Sequence, residues 1–227
     1  VIITFILLGF SFPFFTYLER LTHAVKVRQV YFLTTLWAGL SFIAMTTFII
    51  HDLFNILYYV YSGNNLYTPF IGIVTLLITF ILFFIAIYNA TKIVVREETL
   101  YTQKDIDEFS FVHFSDPHIG ALNLKKTLQR IVDKVNEFEP EFVTITGDLL
   151  DGSGVVNEEV LSPLNGIKTK KGTYFSTGNH EIYFGLEDAC KLVDTLNVEI
   201  LRSETVTFDE YQITGLDNPT SESSDVI

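Results

Sequence analysis

Residues 111–120 read FVHFSDPHIG, an apolar run that stops abruptly at Asp116 and His118. The run FSFVHF (109–114) is short and rich in aromatic residues, which predicts a buried β-strand. A single acid and imidazole after a strand would be ordinary loop polarity. Their meaning depends on whether the pattern recurs along the chain.

Two further strand-like runs end in the same way. EFVTIT (141–146) leads into GDLLDG, and GTYFST (172–177) leads into GNHEIYFG. Asp116, Asp148 and His180 are each 32 residues apart, about one strand–helix repeat. The chain therefore repeats a unit whose strand ends in polar side chains.

Helical periodicity separates these strands and predicts an α/β fold with a parallel sheet. Helices are predicted over 123–138, 156–164 and 185–197, and further strands over 198–201 and in TVTFD and YQITGL. In a parallel sheet, the loops at the carboxyl ends of the strands meet in one crevice. We therefore expect six polar side chains to converge there: Asp116, His118, Asp148, Asp151, Asn179 and His180.

Carboxylates, imidazoles and an amide without a thiolate suit Mn, Fe or Zn ions better than copper or an iron–sulfur cluster. Several carboxylates packed together would raise one another's pKa values, and a bound cation removes that cost. The convergence therefore indicates a metal site.

The three clusters, Asp116-Pro117-His118, Gly147-Asp148-Leu149-Leu150-Asp151 and Gly178-Asn179-His180-Glu181, resemble the D-x-H, G-D-x-x-D and G-N-H-[DE] motifs of the calcineurin-like metallophosphoesterase superfamily. With its apolar N-terminal part, the chain is similar to bacterial membrane-anchored members. The resemblance covers residues 109 to about 215. It implies an α/β sandwich with αββα layers and hydrolysis of phosphoester bonds by a two-metal mechanism. The membrane anchor suggests a lipid-linked phosphodiester or pyrophosphate as the substrate, and it also suits a soluble nucleotide.

The resemblance also implies a role for each residue. Asp116 and His118 would bind one of two divalent metal ions, Asp148 would bridge both ions, and Asn179 would bind the second. His180 would face the phosphoryl group and protonate the leaving oxygen. Asp151 would orient His180. Glu181, by the same resemblance, would be structural support.

One departure from the family pattern is that no histidine follows His180, whereas the family uses a later histidine and a G-H-x-H motif. We expect that the chain is truncated at its C-terminus, and that this piece binds metal weakly and turns over poorly. The alternative is a catalytically defective phosphoesterase-like domain that acts as a sensor or scaffold on a membrane protein.

The N-terminal part, 1–91, contains three uncharged apolar runs at about 1–17, 30–50 and 69–88. The second and third are long enough to cross hydrocarbon, and the first reads as the remainder of a longer span, so we expect a multi-pass membrane region rather than the buried helices of a soluble core. A polar linker, 92–108, then leads to the phosphoesterase domain, 109–227. Because the spans carry no charge, a transport path has no support.

Charge is distributed very unevenly. Residues 1–91 carry three Lys or Arg and two acids, whereas the rest carries 12 Lys or Arg and 25 acids. An acidic domain of this kind argues against a nucleic-acid-binding surface. Basic side chains lie in the first loop and after the last span, which predicts a cytoplasmic domain. The resemblance to bacterial membrane-anchored members implies a bacterial plasma membrane. The expected partners are the lipid bilayer and a phosphoester substrate, lipid-linked or nucleotide. A Lys cluster at 168, 170 and 171 is either a solvated turn or an attractor for phosphate.

Overall fold

The structure, a computed structural model, describes residues 2–22, 24–65, 68–122 and 125–218. The chain divides into two compact units, Val1–Glu97 and Glu98–Ile227. The division falls within the predicted linker, where the chain forms neither helix nor strand. Each unit is described separately below.

Where the structure describes the first unit, it forms three helices, α1 (Ile2–Thr22), α2 (Val25–Ser62) and α3 (Pro69–Thr91). By length and composition, α2 and α3 are apolar and long enough to cross a membrane. With 38 residues, α2 would extend over about 57 Å, well beyond the hydrocarbon core of a bilayer. A hydroxyl contact of 2.7 Å between Thr47 and Thr79 joins α2 to α3.

Two helices of this unit extend beyond the apolar runs seen in the sequence. The segment 51–61, which follows the second run, continues α2, because no helix breaker occurs in it before Gly63. Gly63 ends the helix in the left-handed conformation, and its N–H donates to the Tyr59 carbonyl. Helix α1 also runs past residue 17, so Glu19 lies in a helix and is buried.

The described residues of the second unit form six strands and four helices. The strands are β1 (Phe111–Phe114), β2 (Phe142–Thr146), β3 (Thr173–Ser176), β4 (Glu199–Ile200), β5 (Glu204–Thr207) and β6 (Gln212–Gly215). The helices are α4 (Lys125–Asn136), α5 (Glu158–Leu161), α6 (Asn179–Phe184) and α7 (Leu186–Val193), with a 3₁₀ turn at Ser162–Gly166. Asn123, the first residue of the helix predicted over 123–138, lies outside the described residues.

The prediction of a parallel sheet is confirmed. Strands β1 to β4 lie side by side in chain order and all run parallel. This order places the carboxyl ends of β1, β2 and β3 next to one another, where the three polar clusters follow. Strands β5 and β6 form a separate antiparallel hairpin.

The two faces of the sheet bury different layers, as the two-residue period of a strand requires. On one face, Val143 and Phe175 pack against the apolar sides of α4, α5 and α7. On the other face, Phe142 and Tyr174 pack with residues of the β5–β6 hairpin. Helices, parallel sheet and hairpin thus form three successive layers, and the fourth layer of the αββα sandwich stays a prediction.

Differences from the predicted elements are concentrated around residues 156–184. The helix expected over 156–164 is one turn of α5 followed by the 3₁₀ turn, since Pro163 cannot continue a regular α-helix. The segment after β3, interpreted as a loop, folds into α6 from Asn179 onward. At the opposite end of the sheet, Lys170 and Lys171 form ion pairs with Glu141 at 3.3 and 3.1 Å. These contacts favour the interpretation of the Lys cluster as a solvated turn.

Candidate functional site

Beyond the last residues of β1 and β2, the two polar loops stay paired with each other. The N–H groups of Asp116 and His118 donate to the carbonyls of Gly147 and Asp148 at 3.2 and 3.0 Å. Ile119 then forms a parallel bridge with Leu150. This continued pairing holds the first two motifs side by side.

The backbone in the first two motifs adopts a conformation that is uncommon for residues with side chains. Asp116, His118 and Asp148 have φ values of 55°, 45° and 52°. Such left-handed residues are rare outside glycine and cluster at functional sites, where the surrounding structure maintains them. Here the left-handed residues are three candidate site residues, and they follow the ends of the neighbouring strands β1 and β2.

Glycines allow the second and third motifs to touch. A Cβ on Gly147, where φ is 77°, would lie 2.8 Å from the Cα of Gly178. A Cβ on Gly178 would overlap the Oδ1 atom of Asp148 and lie 2.6 Å from its backbone nitrogen. Glycine is therefore required at both positions, because a Cβ at 147 would press on the Gly178 backbone and a Cβ at 178 would displace the Asp148 carboxylate.

A buried carboxylate connects the same two motifs. Glu181 is fully buried, and its Oε2 accepts hydrogen bonds from the N–H groups of Asp148 and Gly178 at 2.9 and 2.7 Å. Its Oε1 accepts a third, from Leu150, at 3.0 Å. The Asp148 Oδ1 in turn accepts from the His180 N–H at 2.9 Å. Asp148 is therefore held both by its backbone and by its side chain.

His118 lies at the centre of the acids. Its Nε2 is 3.8 Å from Asp116 Oδ1 and 3.9 Å from Asp148 Oδ2. These separations are too long for hydrogen bonds, but a cation between the atoms would have ligand distances close to the 2.0–2.2 Å usual for such metals. The residues present therefore fit a divalent cation.

The other ring nitrogen of His118 faces Asp151. His118 Nδ1 is buried, makes no hydrogen bond within the described residues and lies 3.8 Å from Asp151 Oδ1. A carboxylate behind a metal-binding imidazole fixes its tautomer and raises its basicity. The Asp151 side chain also accepts a hydrogen bond from the Ser153 hydroxyl.

His180 completes the cluster at the start of α6. Its ring contacts the His118 ring edge-on, with centroids 4.5 Å apart. One ligand atom from each of His118, Asp148 and His180 lies within 4.8 Å of the others, an arrangement that could hold a metal ion. The geometry thus suits His180 as a ligand as well as the acid that the resemblance implies.

Asp151 meets His180 differently from the expectation of a carboxylate–imidazole pair. The His180 Nδ1 lies 3.0 Å from the backbone carbonyl of Asp151, whereas the carboxylate Oδ1 is 4.0 Å away. The carbonyl can only accept, so His180 Nδ1 carries the proton in this contact, and Nε2 is left for another partner.

The structure places the remaining predicted ligands at the same edge of the sheet. Asp116 is exposed and approaches the cluster through His118. Asn179 is half-buried and is the first residue of α6, next to the residue whose N–H binds Asp148.

One group near the site had no signal in the sequence. Asp217, just after β6, accepts hydrogen bonds from the Thr177 hydroxyl at 3.0 Å and from Arg202 Nε at 3.0 Å. Thr177 directly precedes the third motif, so Asp217 ties the hairpin to the loop that carries it. Such a long-range pair has no local spacing that sequence reasoning could detect.

Comparison with known proteins finds a family and several relatives for the part of the chain that carries this site. The family model described as calcineurin-like phosphoesterase matches residues 109–224. A Helicobacter pylori protein named as an uncharacterized metallophosphoesterase is 36% identical over 122 residues, covering 54% of this chain and 33% of its own length. No solved structure matches the chain significantly.

A vertebrate relative also combines this domain with a membrane protein. A Danio rerio protein named as a transmembrane protein with metallophosphoesterase domain is 35% identical over 101 residues, 44% of this chain and 23% of its own length. The chain thus spans a third or less of the length of these curated relatives.

Proposed function

The chain belongs to the calcineurin-like phosphoesterase family, and from that premise we propose that it is a membrane-anchored, metal-dependent hydrolase of phosphoesters. The observation that carries the proposal is the convergence of His118, Asp148 and His180, whose ligand atoms lie within 4.8 Å of one another. Family membership supports phosphoester hydrolysis in general. The finer assignments below are part of the proposal.

We assign Asp116, His118, Asp148 and Asn179 to two divalent ions of Mn, Fe or Zn, the number that the family resemblance implies. Ions bound there would supply Lewis-acid stabilisation of the phosphoryl oxygens and a nucleophile near neutral pH. The chain's own part is to present the ligands rigidly. The three backbone hydrogen bonds to Glu181 and the His180 N–H bond to Asp148 do this.

His180 is assigned as the general acid. Its Nδ1–H donates to the Asp151 carbonyl at 3.0 Å, which fixes the ring and leaves Nε2 to hand a proton to the leaving oxygen. Asp151 is thereby a positioning residue for His180, through its backbone.

For the substrate we propose a phosphodiester that is lipid-linked or a nucleotide, hydrolysed at the cytoplasmic face of a bacterial plasma membrane. The two apolar helices α2 and α3 support the anchoring. Arg20, Lys26 and Arg28 precede or begin α2, whereas no Lys or Arg occurs in 51–68, which supports the orientation. A green fluorescent protein fused after the domain should fluoresce, because that protein matures in the cytoplasm; a dark fusion of normal abundance would contradict the orientation.

The activity is tested on the full-length protein in detergent with Mn²⁺. We expect release of nitrophenolate from bis-p-nitrophenyl phosphate, and at least about 100-fold less from Asp148→Asn. Asparagine keeps the oxygen that accepts from the His180 N–H, so the variant should stay folded. Asp133→Asn, on the exposed side of α4, is the matched control and should retain activity.

Parallel assays with p-nitrophenyl phosphate decide between diesters and monoesters. Hydrolysis of neither ester above the Asp148→Asn level would overturn the hydrolase. If Mn²⁺ still raised the melting temperature of the wild type but not of Asp148→Asn, the sensor or scaffold alternative would replace it.

A further inference from the structure

Tyr183 is a large aromatic side chain that stands exposed beside the proposed catalytic centre. It lies on α6 with 70% of its surface exposed, and its ring meets the His180 ring edge-on, with centroids 5.3 Å apart and planes at 66°. Single exposed apolar side chains are common and mean little alone. Tyr183 differs because the imidazole that it touches is the proposed proton donor to the leaving oxygen.

The loop that follows Asp151 comes close to the base of the Tyr183 side chain. A Cβ added to Gly152 would lie 3.4 Å from Tyr183 Cβ and 3.7 Å from the nitrogen of Phe184. The loop thus approaches Tyr183 at its Cβ, while most of the side chain is exposed to solvent. An aromatic side chain exposed in this way beside His180 can contact a ligand.

The loops that carry the three motifs lack lysine and arginine. The segments 115–122, 147–157 and 177–186 contain no Lys or Arg. A leaving group that carried a further phosphate would find no cationic side chain in these loops.

We propose that Tyr183 forms the wall of a leaving-group subsite, and that it stacks a planar, uncharged group such as an aryl ring attached through the leaving oxygen. The proposal rests on the proposed function, because it takes the leaving oxygen to lie at His180. Stacking on an aromatic side chain changes affinity by about 5- to 100-fold when the ring is replaced by alanine. Tyr183 would thus set which phosphoesters are preferred.

Binding of three phosphonates that cannot be hydrolysed tests this subsite: phenyl-, cyclohexyl- and methylphosphonate. Titration calorimetry on the full-length, Mn²⁺-loaded protein should show phenylphosphonate binding at least about fivefold more tightly than the other two. Tyr183→Ala should lose this preference and keep its affinity for methylphosphonate, whereas Tyr183→Phe should retain the preference. Tyr101→Ala, at an exposed tyrosine ahead of β1, is the matched control and should behave like the wild type.

The outcomes separate this inference from the function on which it rests. Equal binding of phenyl- and methylphosphonate, or a preference for phenylphosphonate that survives Tyr183→Ala, would overturn the subsite and leave the hydrolase intact. A preference shared by cyclohexylphosphonate would also overturn it, because contact would then be apolar rather than planar. If no phosphonate bound the wild type, the phosphoryl site itself would be refuted.

Discussion

The Glu181 carboxylate accepts a hydrogen bond from the backbone N–H of Asp148 at 2.9 Å, 33 residues earlier in the chain. The same oxygen accepts from Gly178, which lies in the third motif together with Glu181. One buried acid thus locks the second motif to the third. Asp148 depends on that lock, because its φ of 52° must be maintained by its neighbours.

Glu181→Ala should destabilise the protein strongly. It leaves three N–H groups without an acceptor, two of them buried and that of Gly178 partly buried, and each buried group costs about 1–3 kcal/mol. We expect the free energy of unfolding to fall by at least about 2 kcal/mol, seen as a lower melting temperature of the full-length protein in detergent. Glu187→Gln, at an exposed position on α7, is the control and should leave the melting temperature unchanged. A melting temperature for Glu181→Ala equal to that of the control would refute the lock.

Gly178→Ala should disrupt the site more selectively. The new Cβ would overlap Asp148 Oδ1, so the carboxylate must move away from His118 and from the His180 N–H. We expect a loss of Mn²⁺ affinity of at least about tenfold in calorimetry, together with a lower melting temperature.

Gly166→Ala is the natural comparison for that substitution, because a Cβ there meets only Val132 Cγ1 at 3.7 Å, an ordinary contact. It should bind Mn²⁺ like the wild type. Equal Mn²⁺ affinity for the two glycine variants would show that Asp148 does not need its present position.

The convergence of the site could be predicted from the sequence because it follows from chain topology. Parallel strands of similar length, each followed by a polar cluster, must bring Asp116, Asp148 and His180 to one edge. Regular spacing along the chain carried this information. No knowledge of side-chain contacts was needed.

The local geometry could not be predicted in the same way. The left-handed backbone at His118 and Asp148 is imposed by pairing between distant loops, and nothing in the tripeptides around them encodes it. Helix α6 was interpreted as a loop because its six residues are too few for a visible period, and Glu181 stabilises its start from the third helical position. The hydropathy pattern does not reveal that α2 continues through 51–61. The aromatic residues of this segment are typical of a membrane interface, and they make it look like a connecting loop.

Asp151→Asn tests how Asp151 acts. The His180 ring is held by the Asp151 backbone carbonyl, which the substitution keeps, whereas the carboxylate faces His118 Nδ1 at 3.8 Å. We therefore expect Mn²⁺ affinity to fall about 10- to 100-fold, as for other carboxylates behind a metal-binding imidazole.

The melting temperature of Asp151→Asn without metal should stay close to that of the wild type, and activity should recover at saturating Mn²⁺. Unchanged affinity combined with lost activity would instead assign the carboxylate to His180, as the family resemblance implies.

The pair at the far end of the sheet predicts a dependence of stability on pH. A hydrogen bond from Lys171 and then one from Lys170 hold the pKa of Glu141 below its ordinary value of 4.5, and the same Glu141 raises the pKa of Lys171 above 10.5. A depressed carboxyl pKa contributes stability above pH 4.5 and loses it as the pH falls through the folded value. A raised lysine pKa contributes stability below pH 10.5 and loses it as the pH rises further.

Glu141→Gln should therefore lower the melting temperature between about pH 5 and 10, and the difference from wild type should shrink as the pH falls below 4.5. Glu159→Gln, whose exposed partner Lys125 is 3.9 Å away, should show little difference at any pH. A Glu141→Gln difference that stayed constant down to pH 3 would mean that lost packing, rather than the ion pair, causes the change.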